Sequence, residues 1–209
     1  MFLAPPASAD RAPPEAVVVG VSAGGMLALE RLLACLPVGF ASAVIIVQHL
    51  HPTEDGYLAL HLDQHCALPV GVAEDKAPVC PATVTLAPAG YHLLVERCRT
   101  FALSIDARVC FARPAIDVLF ESAARVWGAR LWGVLLTGAN HDGTRGLAEI
   151  RALGGRTIAQ DPADAEHPLM PQTAIDAGVV QQVLTLDGIG ALLAALPAAA
   201  SAMEQERII

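Results

Sequence analysis

Residues 15–36 read Glu15-Ala-Val-Val-Val-Gly-Val-Ser-Ala-Gly-Gly-Met-Leu-Ala-Leu-Glu-Arg-Leu-Leu-Ala-Cys-Leu36, and they set the pattern of the whole chain. The first part, Ala16–Val21, is apolar and β-branched, which predicts a strand buried on both faces. From Gly24 the leucines recur with helical spacing, and Pro37 ends the segment. The turn between them places Ser22 at the carboxyl edge of a sheet, beside N–H groups that lack a helical partner.

The turn itself, Gly-x-Ser-x-Gly at residues 20–24, has more than one interpretation. A nucleophile held there lies next to amides that can bind an oxyanion, and the N–H of Ala23 is our candidate donor. A Gly-rich turn also binds phosphate or simply packs tightly, so a nucleotide-binding protein is an alternative. Ser22 stands where the dinucleotide fingerprint needs glycine, and no Lys-Ser or Lys-Thr pair follows, which excludes that fingerprint and the P-loop.

The composition indicates an acidic domain with a large apolar core. Of 209 residues, 54% are hydrophobic and 16% charged, with a net charge of −8. Scattered Lys and Arg exclude the basic footprint of a nucleic-acid-binding protein, and no apolar run is long enough for membrane insertion. The five cysteines lack Cys-x-x-Cys spacing, which indicates reduced thiols in a cytoplasmic protein. We expect no metal and no cofactor.

Strands and helices alternate along almost the whole chain. This order favours an α/β fold with a doubly wound, mostly parallel sheet, helices on both faces and a small β-hairpin. We expect residues 1–15 and 198–209 to be tails, the first disordered and without a secretory signal, and 16–197 to be one catalytic domain. The predicted strands are 16–21, 43–48, 69–73, 83–87, 131–136, 156–160 and 179–184, with a hairpin at 91–96 and 100–105. The predicted helices are 24–36, 54–66, 113–127, 143–153, 171–177 and 187–196.

A serine, a histidine and an aspartate each follow a different predicted strand. Ser22 follows the first, His49 the second, and Asp142 lies in the loop after residues 131–136. Ligand crevices of such sheets lie at the carboxyl ends of the strands, so these side chains should meet. A neutral imidazole can take the serine proton, while a carboxylate fixes its tautomer. Individually, His49 could be a core histidine and Asp142 a cap of the helix at 143–153.

Several segments in this order resemble the catalytic domain of the CheB chemotaxis methylesterases, over about residues 16–196. They are Val17-Val-Val-Gly-Val-Ser-Ala-Gly-Gly, Val47-Gln-His-Leu, Thr85-Leu-Ala-Pro-Ala-Gly-Tyr-His, Arg113-Pro-Ala-Ile-Asp-Val-Leu-Phe, Leu136-Thr-Gly-Ala-Asn-His-Asp-Gly and Leu169-Met-Pro. The resemblance implies hydrolysis of glutamyl methyl esters on the cytoplasmic domain of methylated chemoreceptors, often with deamidation of receptor glutamines. It assigns the catalytic triad to Ser22, His49 and Asp142.

The chain departs from the family pattern next to the candidate carboxylate. The family usually has Thr-Gly-Met-Gly where this chain has Thr137-Gly-Ala-Asn140, and Leu169 stands where glycine is common. Asn140 is suited to a left-handed backbone conformation that the family glycine could serve. A catalytically impaired signalling or scaffold module of the same fold is therefore a second alternative.

Other candidates rank lower. His61 and His65 have helical i, i+4 spacing but lack the glutamate of a zincin motif, which favours a solvated helix face. His51 and His141 are rival bases ranked below His49, and Arg113 is a candidate substrate contact. Family members commonly carry a receiver domain before the catalytic domain. Here a short tail precedes Ala16, so we expect no activation by the chain's own phosphorylation and regulation by a separate protein.

Overall fold

The computed structural model describes residues 13–50, 53 and 56–196, so the expected tails lie outside it apart from residues 13–15. Nine strands and six α-helices are formed in this part of the chain. The strands are β1 Ala16–Val21, β2 Ala43–Gln48, β3 Val70–Val72, β4 Val84–Leu86, β5 His92–Val95, β6 Phe101–Ser104, β7 Leu131–Leu135, β8 Arg156–Gln160 and β9 Gln182–Leu184. The helices are α1 Gly25–Ala34, α2 Tyr57–Asp63, α3 Ile116–Trp127, α4 Thr144–Ala152, α5 Leu169–Asp176 and α6 Leu186–Ala194.

Seven strands form one parallel sheet in the order β3-β4-β2-β1-β7-β8-β9, and β5 pairs with β6 as an antiparallel hairpin. The predicted doubly wound sheet and its hairpin are thereby confirmed. Strand β1 lies at the centre because the chain winds outward from it in both directions, first through β2 and later through β7. The crevice of such a sheet opens where the winding direction reverses, at the carboxyl ends of β2, β1 and β7.

The alternation along β1 divides the core between the two faces of the sheet. Val17, Val19 and Val21 pack on the face covered by α1, α2 and α6. Ala16 and Val18 pack on the opposite face, against α3, α4, α5 and the hairpin. Every side chain of the strand is buried, as expected for a central parallel strand. Helices therefore cover both faces, and none in the described part of the chain has the length and apolar character needed to cross a membrane.

Several element boundaries differ from the sequence prediction. Helix α3 begins at Ile116 rather than at residues 113–114, because a carboxylate from a distant loop supplies the acceptors for its first N–H groups. Helix α5 begins at Leu169 rather than Pro171, since a proline in the first turn removes an N–H that has no helical partner anyway. Helix α2 ends at Asp63, and β9 begins only at Gln182.

Candidate active site

The ends of β1, β2 and β7 are tied together just beyond the sheet. The N–H of Ser22 donates to the carbonyl of Thr137 at 3.0 Å, and the N–H of His49 donates to the carbonyl of Val21 at 3.1 Å. Each bond extends the pairing of two neighbouring strands beyond their carboxyl ends. The residues that follow the three strands are therefore held at fixed relative positions.

The structure brings Ser22, His49 and Asp142 into one hydrogen-bonded chain. His49 Nδ1 lies 3.0 Å from Ser22 Oγ, and His49 Nε2 lies 2.9 Å from Asp142 Oδ2. An ionised carboxylate can only accept, so Nε2 carries the proton and Nδ1 offers its lone pair to the serine hydroxyl. The two ring nitrogens are exchanged relative to the chymotrypsin arrangement, in which Nε2 faces the serine. This arrangement can still move the serine proton to the imidazole.

Asp142 is fully buried, at 0% exposure, and its carboxylate is anchored by backbone. Oδ2 accepts from the N–H of Ile116 at 2.7 Å as well as from His49, and Oδ1 accepts from the N–H groups of Asp117 and Gly143, each at 2.9 Å. With four donors, the four lone-pair sites of the carboxylate are filled. Asp142 thus caps α3 and not the helix that follows it, which begins after Gly143 in the left-handed conformation.

Asp117 performs the reciprocal task for α4. Its Oδ1 accepts from the N–H groups of Gly143 at 2.9 Å and Gly146 at 2.8 Å, and Oδ2 lies 3.4 Å from Arg145. Burial raises the pKa of Asp117, opposed by the bond from Gly146, and the charge of Asp142 raises it further. Two neighbouring carboxylates thus hold the starts of two helices, and one of them also contacts His49.

We expect replacement Asp117→Asn to change how the free energy of unfolding depends on pH. The folded state binds the Asp117 proton more tightly than the unfolded chain, so ionisation destabilises the fold at neutral pH. That destabilisation disappears as pH falls through the raised pKa towards the ordinary value of about 4. The wild type should therefore gain stability relative to the Asn variant between pH 7 and that value. Urea unfolding of both proteins across this range measures the difference, and a constant difference contradicts the prediction.

The amide after the serine is available to a ligand. Gly24 is left-handed at φ 75°, and the N–H of Gly25 turns back to the Ser22 carbonyl at 2.9 Å. Within the described residues the N–H of Ala23 has no acceptor, whereas its carbonyl accepts from Thr137 Oγ1 at 2.9 Å. The Ala23 amide is thus held in place by its neighbours, with its N–H beside the serine. The sequence predicts the Ala23 N–H as the oxyanion donor. This geometry is compatible with that role, which stays a hypothesis.

Two supporting residues were missed in the sequence. Gln48, the last residue of β2, donates from Nε2 to the carbonyls of Ser22 and His49, both at 2.9 Å. Thr137 links the serine turn to the segment before α5 by donating to Ala23 and accepting from the N–H of His167 at 2.8 Å. A buried polar residue ending an otherwise apolar strand is the signal that could have pointed to Gln48.

Asn140 contacts the imidazole and has a negative φ, so the left-handed conformation expected for it is not adopted. Its Nδ2 lies 3.2 Å from His49 Nδ1, and its Oδ1 accepts from the N–H of Asp142 at 3.0 Å. The amide therefore shares the Nδ1 lone pair with the hydroxyl of Ser22. It reinforces the tautomer in which Nδ1 is the base.

Replacement Asn140→Asp should lower kcat for ester hydrolysis by about 100-fold, the lower end of the typical contribution of general acid–base catalysis. The new carboxylate keeps the acceptor for the N–H of Asp142 but places an acceptor against His49 Nδ1. A protonated imidazolium held between two carboxylates cannot take the serine proton. The control is Asn140→Ala, which adds no charge and should retain more activity. Equal kcat values for the two variants would contradict this role.

Among the rival residues that the structure describes, none joins this chain of hydrogen bonds. His51 lies outside the described residues, and His141 is exposed. Arg113 donates to the carbonyls of Ile105 at 2.7 Å and Asp106 at 3.0 Å, so its guanidinium holds a loop. Burial raises the pKa of the Cys110 thiol, and the charges of Asp142 and Asp117 raise it further, which disfavours a thiolate nucleophile. The Cys110 sulfur and these two carboxylates lie close together, but the lone pairs of Asp142 already accept hydrogen bonds.

An apolar cleft of about 540 Å³ opens beside the serine. Its walls come from the starts of α1 and α2 and from the loop before α5. The residues that line it include Met26 and Leu27 of α1, Tyr57 and Leu58 of α2, and Glu166. A cleft of this size can hold a glutamyl side chain and neighbouring residues of a protein substrate.

Comparison with known proteins places these features in one family. Residues 17–193 match the family model described as CheB methylesterase. A protein of Leptospira interrogans is 46% identical over 178 residues, which are 85% of this chain and 92% of the relative. The protein-glutamate methylesterase/protein-glutamine glutaminase of Symbiobacterium thermophilum is 39% identical over 180 residues, 86% of this chain and 50% of the relative. The crystal structure of the Thermotoga maritima CheB methylesterase catalytic domain superposes with a TM-score of 0.84 at 32% identity, covering 88% of this chain and 99% of that domain.

Proposed function

The chain belongs to the CheB methylesterase family, and we propose that Ser22, His49 and Asp142 are the residues with which it hydrolyses glutamyl methyl esters. The observation that carries this proposal is the continuous chain from Ser22 Oγ through His49 to Asp142, with distances of 3.0 and 2.9 Å. The activity is that of a carboxylic ester hydrolase. The alternatives of a nucleotide-binding protein and of an impaired scaffold are not favoured.

Acylation begins when His49 Nδ1 takes the proton from Ser22 as its oxygen attacks the ester carbonyl. The negative charge that develops on the carbonyl oxygen is stabilised by the Ala23 N–H, which donates a hydrogen bond to that oxygen. The imidazolium then gives its proton to the departing methoxide, which leaves as methanol. Asp142 stabilises the imidazolium while this charge exists.

Deacylation repeats these steps with water as the nucleophile. His49 takes a proton from the water, which attacks the acyl-enzyme, and the imidazolium then gives a proton to the Ser22 oxygen as the ester bond breaks, leaving a glutamate carboxylate as the product. The same sequence applied to a glutamine side chain releases ammonia in place of methanol. This is the second activity in the relatives' name, and we propose it for this chain as well.

We propose the cytoplasmic domain of a methylated chemoreceptor as the substrate of this chain. A separate regulatory protein is the second partner that we propose. The apolar cleft beside Ser22 supports a protein substrate that presents its side chain from a surface. We also propose a cytoplasmic location, which the five free thiols among the described residues support, since reducing compartments preserve them.

The experiment that tests the proposed function is methanol release from methylated chemoreceptor by the purified chain. We expect release that depends on enzyme concentration and stops when the receptor sites are exhausted. Receptor prepared without methylation is the control for methanol from other sources. Absence of methanol from methylated receptor, with a correctly folded chain, would contradict the proposal.

A further inference from the structure

The histidines at the end of α2, His61 in its last turn and His65 two residues beyond it, meet a third polar side chain that the sequence did not indicate. His61 and His65 lie one helical turn apart, with ring centroids 4.6 Å apart. Glu30, from the neighbouring helix α1, reaches both: its Oε2 lies 3.2 Å from His61 Nε2, and its Oε1 lies 3.9 Å from His65 Nε2. The carboxylate that joins the two histidines thus comes from a different helix.

We propose that Glu30, His61 and His65 form a binding site for Zn²⁺ between α1 and α2. One ligand atom from each residue lies within 4.8 Å of the other two. Ligands about 2.1 Å from a tetrahedral Zn²⁺ lie about 3.4 Å from one another, so small side-chain rotations suffice to close the site. Two imidazoles and one carboxylate are a ligand set that suits Zn²⁺, with water in the fourth position.

The tautomer of His65 is already set for a metal. Its Nδ1 lies 2.8 Å from the backbone carbonyl of His61, and a carbonyl can only accept, so Nδ1 carries the proton. In the neutral ring Nε2 then carries a free lone pair, and this nitrogen faces Glu30. Histidines that bind metals usually donate their second nitrogen to such an acceptor, which fixes the ring and increases its basicity as a ligand.

Partial exposure allows an ion to enter. The side chains are 20% exposed for His61, 32% for Glu30 and 38% for His65. The site lies on the outer side of two helices whose first turns line the cleft beside Ser22, through Met26 and Leu27 on one helix and Tyr57 and Leu58 on the other. A bound ion would therefore connect the two walls of the cleft without touching the serine.

Zinc titration of the purified, chelator-treated full-length chain under reducing conditions tests the site. We expect one Zn²⁺ to bind and to raise the melting temperature, because a ligand that binds only the folded state stabilises it. His61→Ala and His65→Ala should each weaken Zn²⁺ binding at least about 100-fold, the upper limit for loss of a residue that only supports a ligand. Neither should show the rise in melting temperature.

The matched control is His167→Ala, because His167 is a partly exposed histidine whose Nε2 lies 3.4 Å from a single glutamate, Glu166. This variant should bind Zn²⁺ as the wild type does. Glu30→Gln, which removes the charge but not the shape, should weaken binding without unfolding the chain. Wild-type protein that takes up no Zn²⁺, or a double His61→Ala/His65→Ala variant that binds it normally, would overturn the proposal.

Discussion

Replacement Ser22→Ala is expected to reduce methanol release from methylated receptor by up to about six orders of magnitude, the scale found when a triad serine is removed from a serine protease. In the proposed mechanism this hydroxyl forms the acyl-enzyme. Among the described residues the Cys110 thiol, close to Asp142, is a poor substitute because burial raises its pKa. The Ala23 amide and the cleft are unchanged in the variant, so a small residual rate can persist.

The fold should be unaffected by this change. Ser22 is held by its backbone, through its N–H to Thr137 and its carbonyl to Gln48, and alanine keeps both bonds. Unchanged unfolding in urea, together with loss of labelling by a fluorophosphonate, is the expected pair of results. Methanol release near the wild-type rate in the alanine variant would exclude Ser22 as the nucleophile.

Replacement Asp142→Asn should reduce turnover by up to about ten-thousandfold, the effect of the equivalent change in a serine protease, and should also destabilise the fold. The NH₂ group of asparagine takes the place of one carboxylate oxygen and cannot accept a hydrogen bond. Hydrogen-bond donors face both oxygen positions of Asp142. One orientation leaves the N–H of Asp117 without an acceptor and removes one of the two acceptors of the Gly143 N–H, and the other leaves Ile116 and His49 without acceptors. Each orphaned group costs about 1–3 kcal/mol.

Measurement of kcat and of the free energy of unfolding on the same preparations separates the two effects. Asp117→Asn is the matched control, because it also removes a buried charge at a helix start but leaves the contact between Asp142 and His49 in place. We expect it to retain most of the turnover. A folded Asp142→Asn variant with wild-type kcat would reduce Asp142 to a structural role.

The sheet and the meeting of the three side chains were predictable because both depend on patterns that are local in sequence. Apolar, β-branched runs mark the buried strands, and the rule that crevices form at their carboxyl ends brings Ser22, His49 and Asp142 together. The family motifs in the same segments gave the fold and function independently of this rule, and the comparisons confirm them.

The partners that position these side chains were not predictable, because most of them are backbone groups brought in from distant segments. The N–H groups of Ile116 and Asp117 reach Asp142 across more than twenty residues and carry no signature of their own. The same holds for Glu30, whose distance from His61 depends on how two helices pack. Asn140 was noticed as a departure, but its contact with His49 depends on a side-chain direction that the sequence does not encode.

The hydrogen bonds that Asp142 accepts from the first amides of α3 make those amides reporters of the carboxylate proposed for the triad. Amides in the first turn of a helix ordinarily exchange with solvent hydrogen rapidly, because no helical carbonyl protects them. Here the N–H groups of Ile116 and Asp117 are bound by a fully buried carboxylate. Their exchange rates, read by nuclear magnetic resonance at single residues, follow the opening of this one contact. Whether the contact between Asp142 and α3 is closed can thus be measured in the resting protein, without substrate and without turnover.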